Sequence, residues 1–340
     1  PPLAKPPNPP YRTRMKTTLK PCAAAALLAC PCIPAAAQTG PELILLPWQE
    51  GQTAQVVGSA SYQDTETDGA NFDLDLTRLE SRGRYRLHPG SDYDPTLGYD
   101  YTYLDLGTSD PALPARLVDF SLAFGGQLGT TDFGCDCGDW RVGYTVGLGY
   151  AGDVPFHDGD AWYGLGSVFA VQAIDRDTQW IVALQYDGNR TFLPDVPLPS
   201  VTYRARYNDQ LTYALGFPFS SLTWKPDDRW TVLLRTALFI SITARVEYAP
   251  TDGLVFYGTF EREVDAFQLD GDDSNRRLIF SQQRLEAGVQ FKLCENTTLT
   301  AAAGYAFDQE FERGYDSRDT DTVRDLDDAI YFRVGVEVGF

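Results

Sequence analysis

Long apolar runs are missing from the body of this 340-residue chain. Stretches such as Leu43–Leu46 and Ala237–Ile240 fall far short of the ~20 residues a membrane-crossing helix needs. Histidine is nearly absent, with two residues, His88 and His157, which leaves little material for a nucleophile held by an imidazole base. Cysteine is scarce, and three of the six lie in the first 32 residues. Cys135, Cys137 and Cys294 remain, an odd number that makes no disulfide framework. No P-loop motif occurs. Basic residues are in deficit, at 28 Lys and Arg against 47 Asp and Glu. A chain this acidic is a poor nucleic-acid binder, because phosphate contacts need basic surface.

The N-terminus is different in kind. Residues 1–14 are proline-rich and basic and read as an upstream extension outside any fold. Residues 15–37 read as a secretory signal. Lys16 and Lys20 precede the short apolar stretch Cys22–Ile33, and Ala35-Ala36-Ala37 supplies small residues before Gln38. Leu27-Leu28-Ala29-Cys30 also resembles a lipobox, although Pro31 is an awkward neighbour for a lipidated cysteine. Five of the 28 basic residues, Lys5, Arg12, Arg14, Lys16 and Lys20, lie before Gln38; the remaining 23 face 47 acids, a net charge near −24.

What the body of the chain does contain is two-residue alternation, the mark of half-buried strands. In Trp140–Tyr150 the even positions are Trp, Val, Tyr, Val, Leu and Tyr, while Gly, Arg and Thr fill the odd ones. Ser281–Leu293 and Trp230–Tyr248 repeat the pattern, with Gly, Pro, Asp and Asn clustered between such runs. The alternation predicts an all-β, single-chain antiparallel transmembrane barrel. Its strands lie near 53–63, 70–87, 96–106, 117–130, 139–150, 161–174, 178–187, 199–207, 209–224, 231–248, 254–265, 278–293, 297–307 and 329–340. That makes about 14 strands, with 12 as the alternative, over residues 53–340; residues 38–52 form an N-terminal periplasmic segment. Counting back from the C-terminus, the acidic stretch Asp308–Asp328 falls outside the cell and Cys294–Asn296 becomes a short periplasmic turn. Lys225–Arg229 is short for the outer loop this count requires.

The last strand, Ala329–Phe340, carries Ile330, Phe332, Val334, Val336, Val338 and Phe340 on alternate positions. Its terminal aromatic, with Val338, Val336 and Phe332, resembles the assembly signal of the bacterial outer-membrane β-barrel superfamily. That resemblance implies outer-membrane lipid and the barrel-assembly machinery as partners, the latter by strand addition. The stretch Leu193–Trp224 further resembles a functionally uncharacterised family of predicted outer-membrane barrels, which carries no activity to transfer. Tyr99, Tyr101, Tyr103, Trp140, Tyr150, Trp180, Tyr186, Trp224, Trp230, Tyr248 and Tyr305 are placed to form interfacial girdles. No feature fixes an oligomeric state.

If the apolar face of each strand meets lipid, the lumen receives Arg82, Arg84, Arg86, Arg141, Arg204, Arg206, Arg235, Arg245, Arg284, Lys292 and Arg333. Glu80, Asp100, Asp119, Glu247, Glu286 and Glu337 join them. Eleven bases against six acids, in so acidic a chain, predict a mildly basic lumen suited to anionic or polar solutes. Pairing of these groups into a network that fills the interior is the competing expectation. One strand resists the scheme: Phe72, Leu74 and Leu76 share parity with Arg78, Arg82, Arg84 and Arg86. A bulge, or an extension beyond the membrane, is needed near Thr77.

Several functions fit. The first is a porin-like channel or transporter for small polar or anionic solutes. The second is a structural or adhesive barrel with acidic loops and a filled lumen. The third is a soluble secreted β-sandwich binder. The fourth, an outer-membrane hydrolase, is disfavoured because no lipase-like or protease-like motif surrounds His88 or His157. No catalytic residue, cofactor or resident metal is expected. Asp270-Gly271-Asp272-Asp273 lacks the full spacing of a calcium loop, and Cys135-Asp136-Cys137 alone is a weak metal motif.

Overall fold

The computed structural model describes residues 39–49, 51–68, 72–91, 93–134, 138–238, 240–273 and 276–340. The expected extension, the signal segment and the Cys135–Cys137 motif lie outside them. Among the described residues one short helix, α1 (Glu42–Leu45), precedes seventeen strands. In chain order they are β1 (Ala54–Glu66), β2 (Asp73–Arg86), β3 (Thr96–Thr108), β4 (Arg116–Thr131), β5 (Trp140–Gly152) and β6 (Trp162–Ala173). Next come β7 (Thr178–Asp187), β8 (Leu198–Arg206), β9 (Leu211–Phe217), β10 (Phe219–Trp224), β11 (Trp230–Ala237) and β12 (Ser241–Thr251). The series ends with β13 (Leu254–Phe267), β14 (Arg277–Cys294), β15 (Thr297–Gly314), β16 (Thr320–Leu326) and β17 (Ala329–Gly339).

Consecutive strands pair antiparallel, and the sheet returns on itself. β17 pairs with β1 from Gln55↔Gly339 to Gln63↔Tyr331, and with β15 from Thr297↔Val338 to Ala306↔Ala329. This closure makes a barrel and excludes the two-sheet sandwich. Sixteen strands close the wall. β16 is extra: its ladder is with the far end of β15, Leu326 also bridges Thr67 beyond β1, and it leads through Asp327-Asp328 into β17.

The count of 14, and its alternative of 12, are therefore too low, and both missing strands trace to hidden turns. The segment read as 209–224 folds back at Pro218, where the Ser220 hydroxyl donates to the Gly216 carbonyl and accepts from the Gly216 N–H. The segment read as 231–248 folds back between β11 and β12, with Leu238 at φ 53°. That turn has no Gly or Pro. Thr236 pairs with Ile242 and Leu234 with Ala244, so even positions face the same side on both arms. Alternation runs through the turn unbroken, and the fold-back leaves no mark in the pattern. The two omissions offset each other. Only Lys225–Arg229 moves to the other end, where a short turn belongs.

Call the end that carries Phe340 and the Cys294–Asn296 turn the near rim, and the opposite end the far rim. The wall is uneven. β14 and β15 run 18 residues each, whereas β9, β10 and β11 have 7, 6 and 8. On the tall side, β2 keeps continuous register with both β1 and β3. No bulge intervenes, so Leu74 and Leu76 point inward with Arg78, and the extension is what resolves the parity conflict. They join Leu104, Leu106, Leu117, Phe267, Leu278, Phe280, Phe311 and Leu326 in a buried apolar cap across the far interior. Asp308–Asp328, expected as one long loop, is mostly strand. β15 bulges at Asp308 (φ 51°), continues to Gly314 and returns as β16.

The segment before β1 enters the barrel. Leu43 is fully buried, and Thr39 lies 3.5 Å from the inward Ser121 hydroxyl. Arg84 donates to the carbonyls of Leu46 (2.8 Å) and Pro47 (2.6 Å), and its guanidinium lies 4.0 Å from the Trp48 ring centre.

Candidate functional site

The outer face is apolar. Ile330, Phe332, Val334 and Val336 on β17, Leu285 and Phe291 on β14, and Val146 and Leu148 on β5 are all exposed. Rings edge this belt. On the far side, tyrosine hydroxyls donate to outward carboxylates: Tyr62 to Asp75 (2.5 Å), Tyr186 to Asp195 (2.8 Å) and Tyr305 to Asp328 (2.7 Å). On the near side Trp180 packs on Tyr203 at 5.0 Å and Trp230 on Tyr248 at 4.8 Å. An apolar belt between aromatic girdles is what a membrane-crossing barrel presents to lipid.

The inner face carries the predicted charges, most of them in networks. Arg78, buried, reaches Glu80 (3.1 Å), Glu263 (3.0 Å) and Asp265 (2.5 Å). Arg284 bridges Glu261 (2.9 Å) and Glu263 (2.8 Å). Glu286 accepts from the Tyr257 (2.7 Å) and Tyr331 (3.0 Å) hydroxyls and from Arg333 (2.8 and 2.5 Å). Arg245 pairs with Glu247 at 2.7 Å and stacks over Tyr257 at 3.8 Å. Glu337 accepts from Gln55 at 2.9 Å. Two opposite charges in a low-dielectric interior need such pairing to offset their lost hydration.

Arg284, Arg333, Glu286 and Glu337 take part in these networks, most of whose other members were not among the expected lumen residues. Glu261, Glu263 and Asp265 stand at odd positions of β13, opposite the exposed Phe256. Continuing that alternation from Phe256 was the signal that could have found them. With these three carboxylates and Arg78 included, the expected excess of base narrows. Arg84 is spent on the N-terminal segment, Arg82 is half-buried on β2, and Arg141 is exposed at the near end of β5.

The interior is not filled everywhere. A cavity of about 880 Å³ runs beside the N-terminal segment along the inner wall from β6 to β13. At the near rim it meets Arg206, Asp209, Gln210 and Lys225; at the far rim it meets Arg190, Leu198, Pro218, Phe219, Leu238 and Ile240. Between them lie Arg204, Arg235 and the hydroxyls of Thr202, Thr212, Ser221, Thr223 and Thr243. Glu42 of α1 faces the same space, where burial pushes its carboxyl up and Arg235 works against the shift.

The far rim is tied by crossings. Arg324 of β16 clamps Asp110 with Nη2 (3.1 Å) and Nε (2.5 Å), bonds that hold the Asp110 carboxyl below its usual range. Arg277 donates to the carbonyls of Tyr315, Asn189 and Arg190. In the acidic loop 268–276, Asp272 accepts from Arg313 (2.6 Å). His157 Nδ1 lies 3.2 Å from Asp270 at this rim, while His88 sits in the near-rim loop 87–95, so the fold does not bring the two together. Cys294 is an exposed free thiol at the near end of β14.

No protein-family model matches this chain, and no curated protein does. Solved structures do. A mutant of the monoaromatic hydrocarbon channel TodX has 8% identity and a TM-score of 0.39, over 85% of this chain and 91% of its own. A FadL homologue from Pseudomonas aeruginosa has 12% identity and a TM-score of 0.37, over 85% and 90%. The translocator domain of the autotransporter NalP from Neisseria meningitidis has 14% identity and a TM-score of 0.29, over 85% and 89%. These are bacterial outer-membrane β-barrel proteins. The barrel architecture of the present chain rests on its own β1–β17 closure and outward apolar belt.

Proposed function

We propose that this protein is a porin-like channel or transporter of the bacterial outer membrane that passes small polar or anionic solutes. The observation that carries the reading is the cavity beside the N-terminal segment, which has residues of both rims in its wall. Its hydroxyl and guanidinium lining offers donors to a polar or negatively charged solute. The apolar cap closes the tall side, so the route follows the low wall of β8 to β12. The apolar belt and its girdles favour outer-membrane lipid as the surroundings, and the aromatic end of the chain favours insertion by the barrel-assembly machinery. The reading includes no catalysis: the two histidines stand at opposite rims.

A second reading has specific support. The cap, the buried ion networks and the inserted N-terminal segment all fill interior volume, as a structural barrel with a closed lumen would. Planar-bilayer recording separates the two. The channel reading expects discrete conductance with an anion preference in a KCl gradient, and larger conductance after deletion of residues 39–48. Silence from both forms, with heat-modifiable migration intact, would leave the structural barrel.

A further inference from the structure

We propose that the cavity contains a binding site for a small organic carboxylate, received between Arg204 and Arg235 and contested by Glu42 of the N-terminal segment. The strand register builds it. Arg204 stands opposite Ala214, Ala214 opposite Ser221, and Ser221 opposite Arg235. The four residues form one row across β8, β9, β10 and β11, on the inner face. Three strand spacings separate the two arginines, roughly 14 Å along the wall. The inner surface of a barrel is concave, so long side chains rooted that far apart converge above the row. Between their roots stand only Ala214 and Ser221, small enough to leave space there.

The next row toward the near rim supplies hydroxyls. Thr212 stands opposite Thr223, and both line the cavity. A carboxylate over this floor meets planar guanidinium forks, which match its geometry, and hydroxyl donors for its remaining lone pairs.

Glu42 is the second observation. The N-terminal segment carries it into the same cavity, and its carboxylate folds back over Gly40, where an added Cβ would lie 2.5 Å from Oε2. Arg235 is a cation whose field reaches it. A carboxylate of the protein itself thus lies in the same cavity as the two arginines and within the field of Arg235, and a solute carboxylate entering there meets it as a like charge. The far mouth adds a preference for the rest of the ligand. Leu198, Pro218, Phe219, Leu238 and Ile240 make an apolar lip, suited to a compact apolar body behind the anionic group.

This inference deepens the channel reading and rests on it for its physiological meaning, but binding is measurable without conduction. Benzoate and its neutral counterpart benzamide are titrated by ligand-observed NMR into the full chain in detergent. Benzoate is expected to bind at least about tenfold more tightly than benzamide. Arg235→Gln should weaken benzoate by about tenfold, and Glu42→Gln should tighten it several-fold, with benzamide unchanged in both. Equal binding of benzoate and benzamide to the native chain overturns the site without recourse to any variant. An unchanged benzoate affinity in correctly migrating Glu42→Gln overturns the contest. Charge-dependent binding in a protein that never conducts would remove the channel reading and keep the site. Conductance without charge-dependent binding would do the reverse.

Discussion

Arg78 illustrates how much a single side chain holds in this interior. It is almost fully buried and faces three carboxylates, Glu80, Glu263 and Asp265, from β2 and β13. Those strands are not neighbours, so the guanidinium spans the lumen. Removing one partner of a buried charge group leaves the others uncompensated, which typically costs about 3–5 kcal/mol. Arg78→Leu is therefore expected to lower stability by that order, read as a fall in the temperature at which heat-modifiable migration changes. Arg82→Leu, at a half-buried residue four positions on, is the control and should move it far less. Equal effects would mean that Arg78 has no special place. Parity made Arg78 visible in the sequence as a residue out of step with Leu74 and Leu76. Parity also turns Glu80, Glu263 and Asp265 inward, but it could not set Glu263 and Asp265 against Arg78, because a contact across a barrel leaves no trace in the spacing along either strand.

At the level of strands, the weakest part of the wall is the β9–β10 hairpin. β9 and β10 pair over only four residues, Ala214↔Ser221 to Leu211↔Trp224, and both lie below the ~9–11 residues usual for a membrane-crossing strand. β14 and β15, by contrast, stay paired from Arg277↔Gly314 to Cys294↔Thr297. Local opening follows the number of hydrogen bonds and packed groups that must be broken together. Amides of 211–224 are expected to exchange with deuterium faster than those of 283–293 in detergent, measured by mass spectrometry of peptides. Uniform protection around the wall would contradict this. The same hairpin was merged into one strand by sequence alone. Gly216-Phe217-Pro218 lies inside that segment, and a bend and a full reversal share that composition. The β11–β12 reversal was harder still, with neither Gly nor Pro and with parity preserved across it. The long, well-punctuated strands β3 to β7, β13 and β14 were legible because Gly, Asp and Asn mark their ends.

For the molecule as a whole, the sequence carried the closed antiparallel barrel and the C-terminal strand. It did not carry the apolar cap or the inserted segment. Leu74 and Leu76 read equally well as lipid-facing residues, and only an unbroken register with β1 and β3 turns them inward. Ala54–Glu66 and Ala329–Gly339, the two ends of the barrel sequence, meet at the seam, and residues 39–48 already lie inside it. That arrangement sets an order of events. The first part of the segment to be made must reach its place before, or together with, the joining of the last part, since Arg84 grips Leu46 and Pro47 from within the wall. A compact, fast-folding domain fused directly before Thr39 should therefore hold the chain as an unsealed sheet, detected as failure to gain heat-modifiable migration. The same fusion after Phe340's neighbouring near-rim turn, between Glu295 and Asn296, should seal normally. In this protein the strand that seals the wall also encloses a segment made long before it, residues 39–48.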